Sequence, residues 1–166
     1  MEEQQNHPIT VDATAGKTLS VVGDTYRILI SGAETNGAFA SIEMLIPPGG
    51  GPGPHAHPDF QESFYVIEGE ILVKSEFGNY TAAQGSFVSI PKGGVVHGFK
   101  NNSKNIARLL CTVVPAGLET FFEEVGKPVA AGEFLPYTDP NEAEMRELQD
   151  IAQKHGQKLY PPNYLD

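Results

Sequence analysis

Two histidines one residue apart, His55 and His57, are followed closely by Glu62 and much later by His97. Imidazole nitrogens with one carboxylate suit a divalent transition metal, whereas calcium and magnesium prefer all-oxygen shells. In an extended strand, alternate side chains share a face, so His55 and His57 can both reach one point. Glu62 follows the short bend Pro58 to Gln61 and opens the next strand-like run, from which it can fold back toward the same interior. His97 opens its own run after Pro91-Lys92-Gly93-Gly94. The set predicts one metal centre, His55, His57, Glu62 and His97, for Fe, Mn, Ni, Co, Cu or Zn. Geometry and supply decide among these ions. Three imidazoles and one carboxylate leave one or two positions for water, substrate or O2, as a catalytic site requires.

The elements that must position these residues read as short strands between turn signals. Thr18 to Val22 leads to a turn at Gly23-Asp24, and Thr25 to Ser31 leads to Asn36-Gly37, a hairpin signal before Ala38 to Ile46. Pro47 to Pro54, rich in glycine, reads as a turn region inside the domain. Glu62 to Val66, Glu70 to Ser75, Tyr80 to Ala82, Gly85 to Ile90, Val95 to Lys100 and Ile106 to Val114 follow. Many short strands at this spacing predict an antiparallel, all-β sandwich or barrel. Alternation sets Glu62, Phe64 and Val66 on one face, and Val95, His97 and Phe99 on one face, as the lining of an apolar cavity. Phe60, Tyr65 and Phe87 are read with them as core or lining.

Beyond Pro115 the period becomes helical. Leu118, Phe121, Phe122 and Val125 form an amphipathic stripe with Gly126 as its left-handed C′ residue. Pro140 to His155 reads as a second helix, with Asp139 as N-cap, Pro140 at N1 and Gly156 just past its end. Its stripe of Met145, Leu148, Ile151 and Ala152 is narrow, so it belongs on the surface, against the barrel or a partner subunit. The division is 1–17 as a polar arm with a short extended piece at Ile9-Thr10-Val11, 18–116 as the β-barrel and 117–166 as a helical extension.

Composition bounds the function. Of 166 residues 40% are apolar and only 19% charged, with 18 Gly and 13 Pro, a mixture suited to strands and tight turns. A formal net charge of −10 repels phosphate backbones and anionic lipid, so neither nucleic acid nor membrane is the expected partner. Cys111, the one cysteine, has no partner in the chain and lies in an apolar run, where it reads as a small buried hydrophobe. The acidic N-terminus carries no secretory pattern and no stretch is long enough to span a membrane, so a cytoplasmic protein is expected.

At this level the chain resembles the cupin superfamily. The first family motif is matched by Gly49, His55, His57, Glu62 and Gly69 at every spacing. The second is matched by Gly85, Pro91, Gly93, His97 and Asn101, with one departure: three residues rather than two separate Gly93 from His97, unless Gly94 takes the glycine's place. The resemblance implies a jelly-roll barrel with one motif pair, a metal inside one end, and commonly a homodimer. The run Pro47 to Gly69 looks like the quercetin dioxygenase-like branch, which implies O2 insertion into a flavonol or another enol, with Glu62 as both ligand and base. Two other classes stay open. One is a non-redox isomerase or lyase, which for phosphorylated substrates would need a cationic cluster that Arg27, Lys74, Lys92 and Arg108 do not form in sequence. The other is a small-molecule-binding cupin without turnover.

Overall fold

The computed structural model describes residues 7–166, and the turn residues divide these described residues into twelve strands and two helices. The strands are β1 (Lys17–Val21), β2 (Asp24–Ile30), β3 (Ala40–Ile46), β4 (His55–Ala56), β5 (Gln61–Glu68), β6 (Glu70–Ser75), β7 (Gly78–Ala83), β8 (Phe87–Ile90), β9 (His97–Lys100) and β10 (Ala107–Val114). Then come helix α1 (Leu118–Val125), β11 (Lys127–Pro128), helix α2 (Glu142–Lys154) and β12 (Lys158–Leu159). They form an antiparallel jelly-roll sandwich. One sheet of seven runs β11-β1-β2-β3-β10-β5-β8, and one of five runs β12-β4-β9-β6-β7. No helix among the described residues is long and apolar enough to cross a membrane.

The core lies between the sheets and is built by simple alternation. Along β10, Ala107, Leu109, Cys111 and Val113 are wholly buried, while Arg108, Leu110 and Thr112 face outward. Along β5 the inward residues are Glu62, Phe64 and Val66. Phe64 and Val66 join Ile42, Met44, Ile71, Val73 and Phe99 in one continuous cluster, each large apolar side chain contributing about 1.5–3 kcal/mol by leaving water. Strand β2 departs from alternation because both its faces are covered. Outward Thr25 donates to Glu133 O at 2.6 Å, and outward Arg27 reaches the carbonyls of Asp12 and Ala15 at 3.1 and 2.9 Å.

Several sequence expectations shift in the folded chain. The first hairpin turns at Val22-Gly23, both with positive φ (50° and 89°), and Asp24 already pairs with Val21. A two-residue turn of this handedness matches the twist of the flanking strands, which moves the turn one residue upstream. Ile9 to Val11 forms no strand, having no neighbour to bond. The first six residues of the arm lie outside the described residues. Helix α1 occupies its expected span, but Gly126 is extended (φ −80°, ψ 158°) rather than left-handed, because the chain passes directly into β11, which bonds β1. Helix α2 is capped by Asn141, not Asp139. The Asn141 side chain accepts from the Ala143 and Glu144 amides at 2.9 and 3.0 Å, while Glu144 Oε2 accepts from Asn141 N–H at 2.9 Å. Asn and Glu three apart satisfy two free ends at once, which Asp139 cannot do from its position.

Tyr65 and Phe87 are not core. They pair on the outer face of the seven-stranded sheet and are 46% and 65% exposed. Their odd-numbered neighbours on β5 point outward too, which follows from Glu62 pointing inward. The segment beyond Pro115 adds a strand to each sheet, β11 beside β1 and β12 beside β4.

Candidate metal centre

Three short elements carry the four predicted ligands. Strand β4 is only two residues long, yet His55 in it lies opposite His97 at the start of β9. His57 follows at the exit of β4, its ring stacked on Phe60 at 4.2 Å and 10°. Glu62 reaches inward from β5. Their ligating atoms all lie within 4.8 Å of one another, and the residues are buried, His57 and His97 at 1% exposure. The structure thus brings together all four residues that the sequence singles out.

The backbone fixes how each ring faces. Nδ1 of His55 lies 2.9 Å from Gly53 O, Nδ1 of His57 3.2 Å from Phe60 O, and Nδ1 of His97 2.9 Å from Val95 O. A carbonyl only accepts, so each Nδ1 carries a hydrogen, and in the neutral ring each Nε2 turns a lone pair inward. His57 Nε2 and His97 Nε2 stand 3.1 Å apart, with Glu62 Oε2 at 2.8 and 3.3 Å from them. Lone pairs facing each other without a hydrogen between them repel. A divalent cation removes that conflict, and outer-shell carbonyls on imidazole ligands are the usual support for one. The donor set therefore fits a metal, and His55, His57, Glu62 and His97 are the residues that could hold it.

Without a cation the cluster manages its charge by proton sharing. Burial pushes the Glu62 carboxyl up, but hydrogen bonds from His57 and His97 outweigh it and hold the group below the usual carboxylate range. Burial lowers the His57 imidazole, yet the bond and charge of Glu62 leave it raised. Burial, with His97 adding to it, drops His55 to about 4, so His55 stays a neutral donor at physiological pH.

The approach to the centre differs from the predicted apolar cavity. Phe64 and Phe99 meet edge to face at 5.2 Å, and Phe60 is spent on His57. Val95 precedes β9 and contributes its carbonyl to His97 rather than a wall. A cavity of about 230 Å³ lies elsewhere, lined by Thr18, Thr25, Arg27 and Glu43 on the outer face of the seven-stranded sheet. Arg27 and Arg108, unclustered in sequence, converge on Glu43 there, at 3.0 and 2.9 Å. The departure in the second motif is absorbed before β9, where Gly93 and Gly94 both have positive φ and Gly93 N–H donates to Pro58 O at 3.0 Å.

Two contributors went unnoticed in the sequence. Leu159 of β12 pairs with His55, so the C-terminal segment braces the strand that carries His55 and leads into His57. Cys111 Sγ lies 3.4 Å from Glu62 Oε1. Its place in an alternating run with Leu109 and Val113 was the available signal, since that register faces the interior.

Comparison with known proteins agrees with this geometry. Residues 42–113, which hold all four candidate ligands, match the family model described as the cupin domain. It is 25% identical over 121 residues to quercetin 2,3-dioxygenase of Bacillus subtilis, covering 73% of this chain and 35% of that one. It is 41% identical over 95 residues to germin-like protein subfamily T member 3 of Arabidopsis thaliana, covering 54% and 40%. The matches thus span well under half the length of these curated relatives. Among solved structures, KdgF from Halomonas sp. superposes with a TM-score of 0.60 at 15% identity, over 69% of this chain and 99% of that one, a likeness of fold.

Proposed function

We propose that this protein is a metal-dependent cupin oxygenase that uses O2 on a small enol or flavonol-like substrate. The observation that carries the reading is the convergence of three inward Nε2 atoms and one carboxylate in the buried interior. The distant likeness to a quercetin 2,3-dioxygenase supports the choice of substrate class. A redox-active divalent ion bound there would supply the common site at which a deprotonated hydroxyl and O2 meet. The chain's own residues do the rest. The three histidines, fixed by carbonyls, hold geometry. Glu62, the one carboxylate of the cluster, takes the substrate's hydroxyl proton. His55, at 9% the most exposed of the four, marks the side from which substrate arrives. Phosphorylated substrates are disfavoured, because Arg27 and Arg108 are engaged by Glu43 and Lys74 by Asp166.

The test is metal analysis of the purified protein followed by O2 uptake with quercetin and a panel of simpler enols. About one iron, manganese, nickel, cobalt or copper ion per chain with substrate-dependent O2 consumption supports the reading. Stoichiometric zinc, or a bound metal with no O2 consumption and a tightly retained small molecule, shifts the assignment to Lewis-acid chemistry or to ligand binding.

A homodimer is part of the same proposal. Tyr65 and Phe87, opposite each other on the outer face of the seven-stranded sheet, present an aromatic pair to a second copy.

A further inference from the structure

Glu62 has two oxygens, and the fold treats them differently. Oε2 faces His57 Nε2 and His97 Nε2 at 2.8 and 3.3 Å, on the side where the ligand atoms converge. Oε1 points the other way and meets Cys111 Sγ at 3.4 Å, its one side-chain donor among the described residues. The contact follows from register. Val113 of β10 lies directly opposite Glu62, so Cys111, two residues along, is its diagonal neighbour on the same inward face. Cys111 is wholly buried between Leu109 and Val113. The sulfur therefore keeps its hydrogen and serves as a donor rather than as a thiolate ligand.

We infer that Cys111 is a positioning residue: its S–H holds Glu62 Oε1 and so leaves Oε2 as the single carboxylate oxygen presented to the three imidazoles. An aliphatic residue of similar size would fill the same space without this effect. The carboxylate would then be free to rotate and present both oxygens, altering the coordination number and symmetry at the centre. The inference rests on the metal reading above for its consequence, but the thiol–carboxylate contact itself can be measured without a metal.

With one cysteine in the chain, the S–H stretching band in a Raman spectrum belongs to Cys111 alone. In metal-free protein the band is expected at the lowered frequency of a hydrogen-bonded thiol and should rise in Glu62→Gln, whose amide oxygen is a weaker acceptor. A band at the free-thiol position in wild type, unmoved in Glu62→Gln, overturns the contact. Next, Cys111→Ser, Cys111→Val and wild type are compared by Cu(II) electron paramagnetic resonance and by chelator competition. Serine, which keeps a donor, should retain the wild-type spectrum. Valine, which fills the space without a donor, should change the spectrum and weaken binding by about tenfold or more. Identical spectra and affinities in Cys111→Val and wild type would show Cys111 to be packing only. Thermal unfolding of the metal-free variants separates a lost donor from a misfolded core, since Cys111→Val should keep a single cooperative transition, lowered only by the cost of one unpaired acceptor, about 1–3 kcal/mol. If wild type binds no metal while the Raman result holds, the metal reading fails and the contact stands.

Discussion

His55 and His97 face each other across the β4–β9 ladder, their rings 4.4 Å apart, so a two-residue strand joins the halves of the metal centre. Because the site needs both, removing either ring should empty it. His97→Ala and Glu62→Ala are each expected to purify with less than about one-tenth of the wild-type metal, as loss of a ligand removes several kcal/mol of binding. Elemental analysis checks this. Wild-type stoichiometry retained in His97→Ala would show that the ion sits elsewhere.

Asp24 gives a pH dependence outside the cluster. It is buried, accepts from Tyr26 Oη at 2.9 Å and Gly51 N–H at 3.1 Å, and its carboxyl is raised from 3.8 to about 7, mainly by burial. The folded state thus binds this proton more tightly than the unfolded chain. Stability contributed by the protonated form is complete below about pH 4 and is lost as pH rises through about 7, at most about 4 kcal/mol in all. Asp24→Asn imitates the protonated acid, its amide facing Tyr26 and its carbonyl Gly51. It should match wild type near pH 4 and exceed it by about 2–4 kcal/mol at pH 8 in urea unfolding. An equal effect at both pH values contradicts the assignment.

Gly51 shows why the glycine-rich run before His55 is built as it is. Its φ is +117°, and a Cβ there would stand 2.2 Å from Phe99 O in β9. The same run is stitched to Asn101, through Gly49 N–H to Asn101 O at 2.7 Å and Asn101 N–H to Gly50 O at 2.9 Å. Gly51→Ala should therefore destabilise the protein by at least about 2 kcal/mol and loosen metal binding as well. Denaturant midpoints and chelator competition measure the two effects. Gly53→Ala, where a Cβ meets nothing within 4 Å, serves as the tolerated control.

Asn101, wholly buried, donates to Ile46 O at 2.9 Å and Asn105 O at 2.7 Å, and accepts from Ser103 N–H at 2.9 Å. Asn101→Ala strands these groups and should lower stability by about 2–3 kcal/mol. Hydrogen exchange should report the loss first at the amides of Gly49 and Ser103. Unchanged protection at both would argue that the Asn101 network is dispensable.

Phe87→Glu tests the proposed homodimer. Light scattering should report a dimer for wild type and a monomer for the variant, with metal content unchanged because Phe87 points away from the centre. A wild-type monomer ends that proposal.

Much of this was legible in the chain because the information is local. The four ligands stand out by residue type and spacing, and the inward face of β5 follows from alternation once Glu62 is set inside. The exact turn at Val22-Gly23 and the Asn141 cap were misplaced by one or two residues, since several neighbouring side chains can satisfy such ends and only the packed chain selects one. Tyr65 and Phe87 were assigned inward on hydrophobicity alone, although parity with Glu62 sends them out.

What the sequence by itself determined is the donor set, the antiparallel all-β class and the two helical stripes, each carried by a period or a spacing within a short window. Tertiary structure alone decided which carbonyl fixes each imidazole, that Arg27 and Arg108 neutralise Glu43 on the outer sheet, and that Cys111 meets Glu62. It also set Leu159 against His55, more than a hundred residues apart in the chain. These contacts depend on which strands become neighbours and in what register. Burying the two sheets against each other settles that pairing, because a slip of one residue would turn every inward side chain to water.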